Sequence, residues 1–177
     1  MTRYQIDPAR SRVWIDARSN VHPIHTEAEG LEGWIDLSTD ESGSNGPNSS
    51  GHLEFGVDNL KSGNMLEHRE LQRRIDARKY PTIAGDLRVM KPNGDGAPYL
   101  VSGDLTFRGV TRSYDNEMTV EGVGGPTITL EGEATFDIRD FGMEPPRILL
   151  LKVYPDVKVR VQIVADATTE PGSEKRS

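Results

Sequence analysis

The sequence predicts an all-β protein, and three observations lead to this prediction. Apolar and polar residues alternate with a period of two in many short segments, which is the pattern of half-buried strands. Glycine and proline, with 18 and 11 copies in 177 residues, separate these segments. Strands do not alternate with long helical segments, as they would around a parallel sheet. The pattern therefore favours an antiparallel sheet, folded as a sandwich or as a closed barrel.

The predicted strands follow one another along the chain. The clearest alternation covers residues 157–163, and similar alternation occurs at 11–18 and 53–57. Further strands are predicted at 83–90, 99–108, 113–121, 127–138 and 148–154, with turn-forming residues at 91–96 and 122–126. The total is about eight or nine strands. A barrel of about eight strands has an interior large enough for one small ligand.

One helix and two irregular segments interrupt this pattern. Asn64 and Glu67 have the spacing of a capping box, and good helix formers continue to about Asp76, before Tyr80-Pro81 ends the segment. Residues 38–51 are almost entirely Ser, Gly, Asn, Asp and Pro, which predicts a mobile loop. The polar residues 166–177 predict a disordered tail. Residues 1–165 are therefore expected to form a single domain.

Composition argues against several functions. A net charge of −7 repels phosphate backbones, so nucleic-acid binding is not expected. The absence of cysteine excludes disulfides and thiolate sites. His22 and His25 stand three residues apart, but a zinc site normally takes three or four protein ligands, so neither metal nor cofactor is predicted. No stretch approaches the length of an apolar membrane span, and the first residues lack an apolar signal segment. The chain is expected to be soluble and cytoplasmic.

Four short motifs occur in order across nearly the whole chain. They are Tyr4-x-Ile6-Asp7-Pro8-x-x-Ser11-x-Val13-x-Ile15, Asp76-Ala77-Arg78-Lys79-Tyr80-Pro81-Thr82-Ile83, Gly103-Asp104-Leu105-Thr106-Phe107-Arg108-Gly109-Val110-Thr111 and Asp140-Phe141-Gly142-Met143. Together they resemble the motifs of the YceI family. The segment after Gly63-Asn64 departs from the pattern, because Glu67, His68 and Glu70 occupy its polar positions and only Leu71 matches.

The resemblance implies a specific fold and function. The fold would be a single eight-stranded, antiparallel, lipocalin-like barrel with one short helix packed against it. A long apolar tunnel would hold a polyisoprenoid, an isoprenoid quinone or a similar amphiphile. The expected function is the non-catalytic binding, storage or transport of that lipid. Relatives also suggest a homodimer.

The residues predicted to line the tunnel have apolar side chains. Alternation places nine of them on inward faces: Val13, Ile15, Ala17, Phe55, Val57, Leu105, Phe107, Phe136 and Val159. Trp34, Met118, Phe141 and Met143 complete the predicted lining, and the two thioethers can adapt to an irregular ligand. The alternative is that these side chains only fill a core.

Two other classes of function remain open at this point. An enzyme of the isomerase or cyclase type could act on an apolar polyene in the same cavity, with Asp104, Asp140 or His68 as the acid or base. A scaffold or interaction protein would instead expose a large apolar patch. The arginines near the helix belong to a solvated face or contact an anionic headgroup at the tunnel mouth.

Overall fold

A computed structural model describes residues 2–38, 49–63, 65–92, 98–145, 147–148 and 150–168. Within them the chain forms twelve strands, one α-helix and two short 3-10 helices. The strands are β1 (Thr2–Ile6), β2 (Arg12–Ser19), β3 (Ile24–Ala28), β4 (Glu32–Leu37), β5 (Ser50–Gly56), β6 (Leu60–Ser62), β7 (Thr82–Pro92), β8 (Tyr99–Phe107), β9 (Val110–Glu121), β10 (Thr127–Asp137), β11 (Arg147–Ile148) and β12 (Leu151–Ala167). Helix α1 covers Met65–Ile75, and the 3-10 helices cover Val57–Asn59 and Ile138–Phe141.

Eight strands close into an antiparallel ring in the order β1-β4-β5-β7-β8-β9-β10-β12. The ring is closed because β1 pairs with β4 along one edge and with β12 along the other. Strands β2, β3 and β6 continue the sheet from the edge of β12, and β11 pairs with β12. The predicted eight-stranded barrel with one short helix is therefore confirmed, and the sandwich alternative is excluded.

Short segments separate three pairs of consecutive strands, and these three breaks lie side by side in the barrel wall. Residues 7–11 separate β1 from β2, residues 29–31 separate β3 from β4, and residues 57–59 separate β5 from β6. At the first break the buried Ser11 hydroxyl accepts from the Val164 N–H at 3.0 Å and donates to the Val164 carbonyl at 3.3 Å, which keeps the backbone of β12 hydrogen-bonded. Asn59 Nδ2 donates to the Glu29 carbonyl at 2.9 Å and joins the other two breaks.

Helix α1 covers the part of the wall that the strands leave open. It packs beside β6 on one side and contacts β11 on the other. Gln72 Nε2 donates to the Val57 carbonyl at 3.0 Å, and Ile75 is buried to 1% exposure. The helix ends at Ile75, and the next residue, Asp76, has a φ of +59°, in the left-handed region. The predicted helix is therefore present, although its predicted cap, Asn64, lies outside the described residues.

The half of the barrel around β1 and β4 contains a packed core. Tyr4, Leu37, Met90, Ile128 and Ala165 are each at most 2% exposed there. These side chains come from five strands of the ring, so the core joins both ends of the chain to its middle. In this half, inward side chains fill the interior as in an ordinary core.

Several strand boundaries differ from the predicted ones. The predicted strands 148–154 and 157–163 largely belong to one strand, β12, and the pairing of β12 with β2 shifts between Val153 and Val157. Pro155 lies at this shift, where its missing N–H interrupts the hydrogen-bond ladder. Strands β1, β3, β4 and β6 were not predicted, because each has six residues or fewer, which is too short for a period of two to stand out.

The two predicted irregular segments fall largely on residues outside the described ones. The predicted mobile loop at 38–51 overlaps β5 at Ser50 and Gly51, and its residues 39–48 lie outside the described part of the chain. The predicted tail at 166–177 overlaps β12 at Asp166 and Ala167, and its residues 169–177 also lie outside it.

Candidate functional site

The half of the barrel beside α1 contains an apolar cavity of about 290 Å³. Strands β2, β3, β5, β6, β7, β8, β10 and β12 contribute to its wall, together with α1 and the second 3-10 helix. Val157, Val159 and Val161 of β12 face it on successive inward positions, and they remain only half-buried because the cavity lies beside them. The barrel therefore combines a packed half with a hollow half.

The structure brings ten of the thirteen residues predicted as tunnel lining together around this cavity. They are Val13, Ile15, Ala17, Phe55, Leu105, Phe107, Phe136, Phe141, Met143 and Val159. Most of them lie on regular strands, where alternate side chains point to the same face. Their role in ligand binding stays a prediction.

The other three predicted residues lie elsewhere. Trp34 lies against the guanidinium group of Arg3, which is 4.3 Å from the ring centroid, on the outer face of β4. Val57 is completely buried in the first 3-10 helix, where the strand alternation used to predict its direction no longer applies. Met118 packs over Gly132 of the neighbouring strand and against the core.

Other lining residues were not predicted, although some carried a signal. Leu71 and Ile75 line the cavity from α1, and their spacing of four residues places them on one helix face. Val157 and Val161 share the alternation that identified Val159. The lining residues on β3 and β6 belong to short strands with too few residues to show a period.

One end of the cavity is polar. The hydroxyls of Thr26 and Ser62 are hydrogen-bonded to each other at 3.0 Å, and both residues line the cavity. The Glu67 carboxylate, 11% exposed, also lines it, and its Oε1 lies 3.7 Å from Nε2 of His22 in the turn between β2 and β3. Glu67 is the one charged residue among the described lining residues.

The acid and base candidates considered from the sequence do not converge on the cavity. Asp104 accepts from the Ser113 hydroxyl at 2.6 Å on the outer face, and Asp140 is exposed. His68 is half-buried and is not part of the described lining. Glu70 accepts from Arg74 at 2.8 Å along the helix. Glu67, paired with His22, is therefore the acidic group closest to any ligand in this cavity.

The motif Asp140-Phe141-Gly142-Met143 forms the aromatic wall of the cavity. The second 3-10 helix ends at Gly142, whose φ of +72° suits glycine, and this turn places Phe141 at 2% exposure. The Phe141 ring meets Phe107 edge-on with centroids 5.7 Å apart. Tyr114 packs in the same way on Phe136 at 4.8 Å, and burial, followed by the nearby Asp140 charge, raises the pKa of its phenol.

A cluster of ionisable residues lies on the outer face of β5 and β7. His52 Nδ1 is 2.7 Å from Asp86, and Nε2 is 3.3 Å from Glu54. The hydrogen bond with Asp86 is the main cause of the raised pKa of this imidazole; burial opposes it, and Glu54 raises the pKa further. In the described part of the chain, no group of three or more His, Asp or Glu side chains could hold a metal ion. Nor does any described helix have the length and apolar character needed to cross a membrane.

Comparisons with known proteins agree with this architecture. The family model described as "YceI-like domain" matches residues 4–165. Among solved structures, Burkholderia cenocepacia BcnA has a TM-score of 0.74 at 20% identity, covering 90% of this chain and 99% of that one. A polyisoprenoid binding domain from Saccharophagus degradans has a TM-score of 0.72 at 13% identity, covering 93% and 98%.

A third structure, the Campylobacter jejuni YCEI protein, has a TM-score of 0.62 at 16% identity, covering 81% of this chain and 85% of that one. No match was found among curated proteins. At these identities the structural likenesses describe the fold, whereas the family model matches nearly the whole chain and includes all four motifs found in the sequence. This chain therefore belongs to the YceI-like domain family.

Proposed function

We propose that this protein binds a long apolar lipid, of the polyisoprenoid or isoprenoid quinone type, and stores or carries it without changing it chemically. The observation that carries this proposal is the apolar cavity of about 290 Å³ enclosed by the hollow half of the barrel. Support also comes from membership of the YceI-like family and from the similar fold of a polyisoprenoid binding domain.

The cavity lining suits a hydrocarbon chain. Burial of each CH₂ group contributes roughly 0.8 kcal/mol, from which the ordering of a flexible chain must be subtracted. The cavity is close to the lower limit of about 300 Å³ for small-molecule sites. We therefore expect it to hold one part of a long chain, while the remainder extends past the polar end at Thr26, Ser62 and Glu67.

The polar end of the cavity also indicates which kind of lipid headgroup the interior can hold. A phosphate placed inside the cavity would meet the Glu67 carboxylate, and no basic residue is among the described lining residues to offset that repulsion. The exposed Arg69 and Arg73 lie on the outward side of α1. An uncharged headgroup, such as an alcohol or a quinone, therefore suits the interior better than a phosphate does.

Native mass spectrometry with lipid extraction tests the proposal. The purified protein is expected to carry an apolar molecule, or to take up a polyprenol or a ubiquinone from detergent micelles. Val159→Phe, which fills the cavity, should abolish uptake. Lys158→Phe is the matched control, since Lys158 is the exposed neighbour of Val159 on the same strand.

The control should bind lipid as the original protein does, and thermal unfolding would show whether both variants are folded. A ligand-free mass that stays unchanged after incubation with both lipids would contradict the proposal. So would equal uptake by the two variants, because the lipid would then lie outside the cavity.

A second candidate function rests on Glu67. A carboxylate in an apolar cavity can act as an acid or base, so an isomerase or cyclase acting on a polyene is the alternative. Glu67→Gln separates the two functions. Chemical conversion of a bound polyene that Glu67→Gln abolishes, with binding retained, would establish the enzyme, whereas extraction of an unaltered polyene supports the carrier.

A further inference from the structure

Exposed apolar side chains lie near the cavity end that contains Glu67. Val21 is 69% exposed in the turn between β2 and β3, Met65 is 73% exposed at the start of α1, and Leu150 is 92% exposed just before β12. Leu66, the second residue of α1, is 55% exposed. These four residues form what is called here the apolar rim.

Hydrogen bonds and a contact between His22 and Glu67 hold the segments of the rim close together. Asn20 Nδ2 donates to the Leu150 carbonyl at 3.3 Å, and Asn20 Oδ1 accepts from the Lys152 N–H at 2.7 Å. His22 and Glu67, 3.7 Å apart, connect the same turn to the first turn of α1. Because Glu67 lines the cavity, the rim lies beside the cavity's polar end.

The segments that contain the apolar rim have a net charge opposite in sign to that of the whole chain. Residues 18–22, 65–69 and 147–152 contain four basic residues and one acidic residue, a net charge of +3, whereas the chain as a whole has −7. The basic residues are Arg18, Arg69, Arg147 and Lys152, and all four are exposed. A locally basic surface with protruding apolar side chains matches an anionic bilayer, which offers both phosphate charges and an apolar interior.

We propose that the apolar rim docks this protein on an anionic lipid bilayer and that lipid enters the cavity through this end. The proposal rests on the proposed function, because docking on a bilayer serves a protein whose ligand resides in bilayers. On docking, Val21, Met65, Leu66 and Leu150 insert below the headgroups while the four basic side chains contact lipid phosphates. The Glu67–His22 contact then lies at the entrance, between the bilayer and the cavity.

Flotation with vesicles tests docking directly. The full chain is mixed with vesicles of phosphatidylcholine alone or of phosphatidylcholine with phosphatidylglycerol. Preferential flotation with the anionic vesicles is expected, and added salt should weaken it. The variant Val21→Ser/Leu150→Ser should lower partitioning at least about tenfold. Leu100→Ser is the control, since Leu100 is 43% exposed on β8, away from the rim.

A second measurement separates docking from lipid binding. The rim variant should still take up a polyprenol or a ubiquinone from detergent micelles, since its cavity is unchanged. Equal flotation of the rim variant and the original protein, or no flotation of the original protein with either vesicle, would overturn the docking proposal. Failure of the original protein to take up lipid from micelles would instead overturn the proposed function.

Discussion

At the scale of single residues, the turn between β8 and β9 shows how backbone conformation fixes a hairpin. Arg108 and Gly109 have φ of +52° and +73°, and this two-residue loop joins strands that pair from Phe107–Val110 onward. A Cβ at Gly109 would lie 2.8 Å from the Tyr80 ring, which comes from the segment after α1. Gly109 therefore combines a left-handed backbone with a close contact.

Gly109→Ala should lower the free energy of unfolding by about 2–4 kcal/mol, of which about 1–2 kcal/mol reflects the left-handed backbone. Gly124→Ala is the matched control, because Gly124 has φ of +87° and no atom within 4 Å of its added Cβ. Urea unfolding of both variants measures the difference. Equal losses would show that the contact with Tyr80 contributes nothing.

The direction in which a side chain points could be predicted from the sequence only on regular strands. Val13, Ile15 and Val159 face the cavity as alternation predicts, because β2 and β12 remain extended there. Val57 follows the strand pattern in the sequence, but the chain has already turned into a 3-10 helix at that point. A side chain's direction depends on the backbone conformation, which period-two alternation alone does not determine.

At the scale of elements, α1 serves as part of the barrel wall. Its inner face contributes Leu71 and Ile75 to the cavity, and the adjacent, largely buried side carries the Glu70–Arg74 pair. Capping and stop signals were sufficient to predict the helix. The short strands β3 and β6 beside it were not predictable, since five and three residues hold too little of any period.

Ile75→Ala should reduce the free energy of unfolding by about 2–5 kcal/mol, because it removes buried methyl groups from the face that closes the cavity. Met65→Ala, at 73% exposure on the same helix, should change it by less than about 0.5 kcal/mol. Thermal or urea unfolding compares the two. A small loss in Ile75→Ala would mean that the helix contributes little to the stability of the barrel.

At the scale of the whole molecule, closure of the barrel joins residues from the two ends of the chain. Tyr4 pairs with Ala167 on β12 and with Ile35 on β4. Its hydroxyl donates to the Gly125 carbonyl at 3.1 Å and accepts from the Gly124 N–H at 3.2 Å. Periodicity could not distinguish a barrel from a sandwich because both contain the same strands, and the family resemblance supplied that distinction.

Tyr4→Phe should cost about 1–2 kcal/mol of unfolding free energy, because it removes both hydrogen bonds at the point of closure. Tyr154→Phe is the control: Tyr154 is 40% exposed, so its change should stay within about 0.5 kcal/mol. Urea unfolding followed by tryptophan fluorescence measures both. Indistinguishable midpoints would show that the hydroxyl of Tyr4 does not contribute to closure.

The three side-by-side breaks in the wall have a consequence for how this architecture can diversify. The closed ring holds its strands by continuous backbone pairing, whereas α1 closes the hollow half mainly through side chains. Substitutions in α1 and at Met143 can therefore alter the size and chemistry of the compartment without disturbing the pairing of the ring. Proteins with this fold could thus bind lipids of different length while keeping the same strand pairing.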